Sequence, residues 1–303
     1  MNSSFDPATG FFIDVRPRTF PWVNVILFLA TCLSTLLVGA LSMQTFYGVD
    51  IETAFYNLWR QPATVLSGVP FCLAIMSILF AHEMGHYLTC RHYGIDASLP
   101  YFIPFPNHVG TMGAFIKIRS PIYDRGQLLE VGVAGPIAGF VVAVAALVIS
   151  MGLGRFVPLD GSEEGILLGE PLIFQGVKYL LGMTPPEGMD LYMHPVTFAA
   201  WFGFLATALN LLPAAQLDGG HITYAMFRGY HKWISWGVVL TLLPLAIFYW
   251  PGWYVWIILL LVIKLWHPAT IDDDIPLRPR QVVLGLIGFV LLILCFTPAP
   301  FIF

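Results

Sequence analysis

Seven apolar stretches, at about 21–43, 67–91, 127–152, 192–212, 232–250, 252–267 and 281–299, constrain this chain more than any other feature. A bilayer core about 30 Å thick needs roughly 20 apolar residues per helix, and most of the stretches meet that ruler. Inside lipid every backbone N–H and C=O must be satisfied internally, so the stretches are read as helices. Only 11% of the residues are charged, against about 25% in a soluble domain. The expected fold is therefore an all-α polytopic membrane protein with about 6–7 transmembrane helices. Pro251-Gly252 separates the fifth and sixth stretches and suits a tight hairpin, although the sixth is short.

Basic residues orient the array, because short cytoplasmic loops carry the excess of Lys and Arg. With the N-terminus inside, Arg16, Arg18, Arg91, Lys117, Arg119, Arg125, Arg228, Lys232, Lys264, Arg278 and Arg280 fall on the cytoplasmic side, and only Arg60, Arg155 and Lys178 outside. The loop from about 153 to 191 carries Asp160, Glu163, Glu164, Glu170, Glu187 and Asp190, as an external, solvated loop would. A net charge of -4 without a basic tract sets nucleic-acid binding aside. Cys32, Cys72, Cys90 and Cys295 show no C-x-x-C spacing and read as small membrane hydrophobes. Residues 1–20 contain Asp6 and Asp14 and no short apolar core, so no removable signal is expected there.

Residues 98–126 are too rich in Gly, Pro and polar groups to cross a membrane. Tyr101-Phe102-Ile103-Pro104-Phe105-Pro106 is held extended by its prolines, and Gly113 to Arg119 alternates like a strand. A small membrane-associated β hairpin or sheet is expected between the second and third spans.

Within the second stretch lies Ala81-His82-Glu83-Met84-Gly85-His86, an H-E-x-x-H pattern where hydrocarbon is the norm. On a helix, His82 and His86 lie about 6 Å apart along one face, close enough to hold one zinc ion. Glu83 is offset by about 100° and can reach a water on that ion. With 8 His and 7 Glu in 303 residues, chance produces the pattern only ~0.5% of the time. Catalytic zinc usually takes three protein ligands, so one is missing. Intramembrane ionisable groups are rare and usually functional, which points to Asp218 in Asn210-Leu211-Leu212-Pro213-Ala214-Ala215-Gln216-Leu217-Asp218-Gly219-Gly220-His221. Pro213 and the Gly-Gly pair break the helix there and let the carboxylate turn sideways. The alternative role for Asp218 is to cap the following helix.

These residues resemble the site-2 protease family of intramembrane zinc metalloproteases. The likeness rests on His82-Glu83-Met84-Gly85-His86, on N-x-x-P-x-x-x-L-D-G-G from Asn210 to Gly220, and on the glycine-rich Gly132-Val133-Ala134-Gly135-Pro136-Ile137-Ala138-Gly139 between them. It covers about residues 67–225, flanked by an N-terminal cytoplasmic segment (1–20), a first helix with its external loop (21–66) and C-terminal helices (226–303). No inserted PDZ or CBS domain is evident.

The seven-span topology oriented by the basic residues puts the H-E-x-x-H end of the second span near the cytoplasmic face, and the resemblance implies that His82, His86 and Asp218 bind Zn2+ and that Glu83 activates water. It also implies a transmembrane-protein substrate and regulated intramembrane proteolysis. Asn210 is either an oxyanion donor or an interhelical hydrogen-bonding residue. Gly132, Gly135 and Gly139 are read as packing positions that let helices approach. His221 is placed near the site or at the interface, His108 on the surface, and His92, His194, His231 and His267 at solvated helix ends. Two other functions use the same residues. One is a membrane metal transporter or sensor. The other is a CAAX-processing type of zinc protease, whose third ligand is typically a distant Glu that this chain does not supply well.

Overall fold

The computed structural model describes residues 3–6, 11–14, 20–158 and 167–302. Arg16, Arg18, Asp160, Glu163 and Glu164, which entered the orientation reasoning, lie outside the described residues. A short antiparallel pair, β1 (Ser3–Asp6) and β2 (Phe11–Asp14), precedes α1 (Trp22–Phe46). The amphipathic α2 (Ile51–Arg60) begins at Asp50, whose carboxylate accepts the Thr53 N–H at 2.8 Å. A 3-10 stretch (Pro62–Gly68) then runs into α3 (Val69–His92).

Among the described residues, four helical stretches are long and apolar enough to cross a membrane: Trp22–Phe46, Pro62–His92, Arg125–Leu153 and Asp218–Phe248. The other stretches form shorter apolar helices. Residues 192–212 form the 16-residue α6 (Pro195–Asn210), because the chain just before it is spent on a strand. Residues 252–267 form only the 11-residue α9 (Trp253–Ile263), a rise of about 16 Å. Lys264, with φ of 74°, ends that helix by leaving the right-handed region. Residues 281–299 form α10 (Pro279–Cys295).

Between α3 and the third span, β3 (Tyr101–Pro104) and β4 (Thr111–Phe115) form an antiparallel hairpin. The ladder is expected to continue to Arg119 but stops at the Tyr101–Phe115 pair, since Pro100 has no N–H to donate. It resumes one residue out of step as an isolated Ala97–Ile118 bridge. The β3 side is covered by α1: the Asn24 amide donates to the Leu99 and Pro100 carbonyls at 2.9 and 3.0 Å, and the Ser34 hydroxyl donates to Gly110 O at 2.6 Å. Phe102 and Val109 bury against Phe71, Ile75 and Leu79 of α3. Among the described residues no strand pairs with the outer edge of β4.

α4 (Arg125–Ser150) starts at Asp124, which accepts the Gln127 N–H at 2.9 Å, and contains Pro136. Beyond it, β5 (Arg155–Pro158) pairs with β7 (Met189–Tyr192), and β6 (Leu167–Leu168) pairs with β8 (Phe301–Ile302). α5 (Leu172–Leu180) lies between β6 and β7. The main core joins α4, α5 and α6 through Leu147, Met151, Phe174, Trp201 and Phe204, all fully buried. α7 (Asp218–Phe227) and α8 (His231–Phe248) follow α6 after a seven-residue turn, residues 211–217. The H-E-x-x-H motif thus sits where α3 and α6 end and α4 and α7 begin. All four cysteines are free thiols.

Candidate metal centre

On α3, His82, Glu83 and His86 are 7%, 5% and 6% exposed, so three ionisable groups share an almost dry site. Burial at this level is sustained only when each group is paired or holds a metal. The partner comes from α7. Asp218 Oδ2 lies 3.2 Å from His82 Nε2 and 3.3 Å from His86 Nε2, and the two Nε2 atoms are 3.2 Å apart. These three donors form a nearly equilateral triangle. In a tetrahedral zinc site with ligand distances of about 2.0–2.1 Å, ligand atoms are about 3.3–3.4 Å apart, so the triangle fits one face of such a site. Two imidazoles with one carboxylate are also a known donor set for catalytic zinc, leaving a fourth position open. Among the described residues this is the single group of His, Cys, Asp or Glu whose ligand atoms converge in this way.

The surrounding chain explains how the donors are aimed. His86 Nδ1 donates to Val131 O of α4 at 2.7 Å, which leaves the Nε2 lone pair facing the triangle. Asp218 is the first residue of α7, and a side chain at Gly219 or Gly220 would overlap the Leu211 or Ala215 carbonyl. Only glycine lets this turn double back tightly enough to bring the carboxylate beside α3. Asp218 therefore begins the helix without capping it: the N-cap position is Leu217.

The glycines of α4 shape the opposite wall. A Cβ at Gly135 would overlap the His86 imidazole, and one at Gly139 would lie 3.1 Å from His82 Cβ. A Cβ at Gly132 would meet His221 Cβ at 3.0 Å, and one at Gly85 of α3 would meet Ala134 O of α4 at 2.5 Å. Close backbone approach is what this stretch provides, and it places α4 against both histidine rings.

Asn210, the last residue of α6, brings its Nδ2 to 3.3 Å from His82 Nε2. The Glu83 carboxylate receives the Ile116 backbone N–H, so the end of the hairpin touches the site. His221 is not part of the triangle; its Nδ1 is 2.7 Å from His267 Nε2. His108 is exposed in the hairpin loop. His194 and His231 depart from the solvated positions expected of them, at 6% and 2% exposure. His194 accepts the Val196 N–H and packs on Phe46, while His231 lies against Tyr224 and His267. The Val131 carbonyl and His267 are contributors that local pattern does not reveal, since one is a backbone atom and the other lies 46 residues from its partner.

A metal-type centre assembled from an H-E-x-x-H helix and an aspartate on a second apolar stretch defines a membrane-embedded metalloenzyme class. The chain belongs to peptidase family M50, whose family model matches residues 70–236. That span is over half of the 303 residues and includes every residue of the triangle, with Glu83 and Asn210. The chain is similar to the probable zinc metalloprotease EGY2, chloroplastic, of Arabidopsis thaliana, at 29% identity over 262 residues, covering 84% of this chain and 45% of the relative. A counterpart from Oryza sativa subsp. indica is 30% identical over 244 residues, covering 77% and 44%. The probable zinc metalloprotease EGY1, chloroplastic, of Arabidopsis thaliana is 32% identical over 170 residues, covering 53% and 30%. The chain spans less than half the length of these relatives.

Proposed function

We propose that this chain is an intramembrane zinc metalloprotease that hydrolyses a peptide bond within or beside a transmembrane segment of another membrane protein. The observation that carries this reading is the His82, His86 and Asp218 triangle, set beside Glu83 inside a bundle of apolar helices. Zinc held there supplies a Lewis acid that polarises a carbonyl and makes water acidic enough to ionise near neutral pH. Glu83 takes the proton from the attacking water and delivers it to the leaving amine as the C–N bond breaks. Once His82 Nε2 is committed to a metal it no longer accepts a hydrogen bond. The Asn210 amide is then free to donate to the oxyanion.

A transmembrane helix hides its peptide bonds in internal hydrogen bonds, so a substrate must unwind locally. The unpaired edge of β4 supports a β-addition mode, in which the unwound segment pairs with Thr111–Phe115 beside Glu83. The distribution of Lys and Arg supports a cytoplasmic N-terminus, which puts the centre near the cytoplasmic face. In this topology α6, α9 and α10 complete a six- or seven-span array.

Removing the metal tests the reading directly. Protein reconstituted with a membrane-protein substrate is expected to lose cleavage on treatment with a zinc chelator and to regain it when Zn2+, but not Mg2+, is restored. Cleavage that persists in zinc-depleted protein rejects it. Ala114→Pro tests the edge-pairing step: cleavage of a helical substrate should fall about tenfold, the worth of roughly one backbone hydrogen bond, while an already unfolded peptide is cut as before. Unchanged cleavage of the helical substrate excludes β-addition.

A further inference from the structure

Residues 264–278, between α9 and α10, form a segment without regular structure that lies along α7 beyond the family match. His221, Tyr224 and Arg228 stand three and four residues apart and so share one side of α7 and its C-terminal end. The segment grips each of them. His221 Nδ1 is 2.7 Å from His267 Nε2. The Tyr224 ring stacks on His267 with centroids 4.5 Å apart, and its hydroxyl donates to Asp273 at 2.6 Å. Arg228 pairs with Asp274 at 2.9 Å. The other edge of the segment is bonded to the chain that leads from the hairpin into α4. There Ile271 N–H donates to Ile122 O at 3.2 Å and Asp272 N–H to Tyr123 O at 2.8 Å.

One proton arrangement satisfies the histidine pair. His267 Nδ1 faces Pro268 O at 2.6 Å, and a carbonyl can only accept, so Nδ1 carries the proton. His267 Nε2 is then a lone pair and receives the His221 Nδ1–H. Burial holds the His267 imidazole below the usual histidine range, which keeps it neutral and able to accept. α7 needs such a hold. It opens with Asp218-Gly219-Gly220, a weakly helical start, and its N-cap, Leu217, makes no side-chain cap.

We propose that His267 is a positioning residue for the metal centre: by accepting from His221 it fixes the first turns of α7 and the direction in which Asp218 presents its carboxylate. The proposal rests on the reading of Asp218 as a metal ligand. It makes the segment outside the family match a determinant of metal affinity.

The test is zinc affinity, measured by chelator competition on the purified full chain, together with the melting temperature of the metal-free protein. His267→Phe keeps a ring against Tyr224 but removes the acceptor; His267→Gln restores one through its side-chain carbonyl. His267→Phe is expected to weaken zinc binding about 10- to 100-fold with an unchanged metal-free melting temperature, and His267→Gln to stay near wild type. Wild-type affinity in His267→Phe overturns the proposal. So does an equal loss in both variants accompanied by a lower metal-free melting temperature, which would mark a packing role. Asp218→Asn separates the two readings. If it binds zinc like wild type, the metal-centre assignment fails and the positioning role with it. If it loses zinc while His267→Phe does not, only the positioning role fails.

Discussion

Glu83→Gln is expected to lower substrate cleavage by roughly 10²- to 10⁴-fold while the zinc content of the purified protein stays unchanged. Glutamine has nearly the same shape, and its carbonyl oxygen can still receive the Ile116 N–H. What it lacks is a basic oxygen able to take a proton from water and return it to the leaving amine. The side chain is 5% exposed, so bulk water has little access to serve as a substitute base. The measurement is accumulation of membrane-protein fragments alongside metal analysis of the same preparation. Equal fragment patterns with zinc bound in both proteins would sink the protease reading. A protein that merely passes metal through the same three ligands would keep moving it in the variant, so a metal-flux assay separates the two functions.

Gly135→Ala should act just as strongly through space alone. The added methyl would occupy the position of the His86 imidazole, and α4 cannot retreat easily because α6, α7 and α10 also pack against it. His86 must therefore swing away, which breaks its bond to Val131 O and removes one corner of the donor triangle. We expect a loss of zinc binding of about 100-fold or more and a destabilisation of about 1–3 kcal/mol from overpacking. Gly139→Ala provides the graded comparison. Its methyl would lie 3.1 Å from His82 Cβ, a distance that a shift of a few tenths of an ångström relieves, so most of the zinc should remain. Full zinc occupancy in Gly135→Ala would show that α4 does not press on the ligands as described.

Much of the centre was legible because its chemistry obeys local geometry. Four-residue spacing puts His82 and His86 on one helix face whatever the rest of the chain does. Asp218 was legible for a different reason: a carboxylate among apolar stretches, next to Pro213 and a Gly-Gly pair, has few structural uses. The hairpin was visible in its prolines and alternation, but its end was not, because the Pro100 interruption acts through the pairing strand. Span lengths were overestimated where hydropathy is blind to conformation. Tyr192 was read as the start of the fourth stretch yet ends β7, which pairs with β5, and Lys264 ends α9 by a backbone angle that composition does not carry. His194 and His231 looked solvated because the groups that bury them, Phe46 for one and Tyr224 with His267 for the other, approach only in three dimensions.

The donors of the triangle also have an order in time. His82 and Asp218 are 136 residues apart, with α4 and α6 between them. At roughly 5–20 residues per second, ribosomal synthesis delivers Asp218 on the order of ten seconds after the two histidines. Until then the growing chain holds a two-histidine fragment of the centre and no carboxylate to close it. The centre therefore closes only after α4 and α6, the helices that separate its two halves in sequence, have been made.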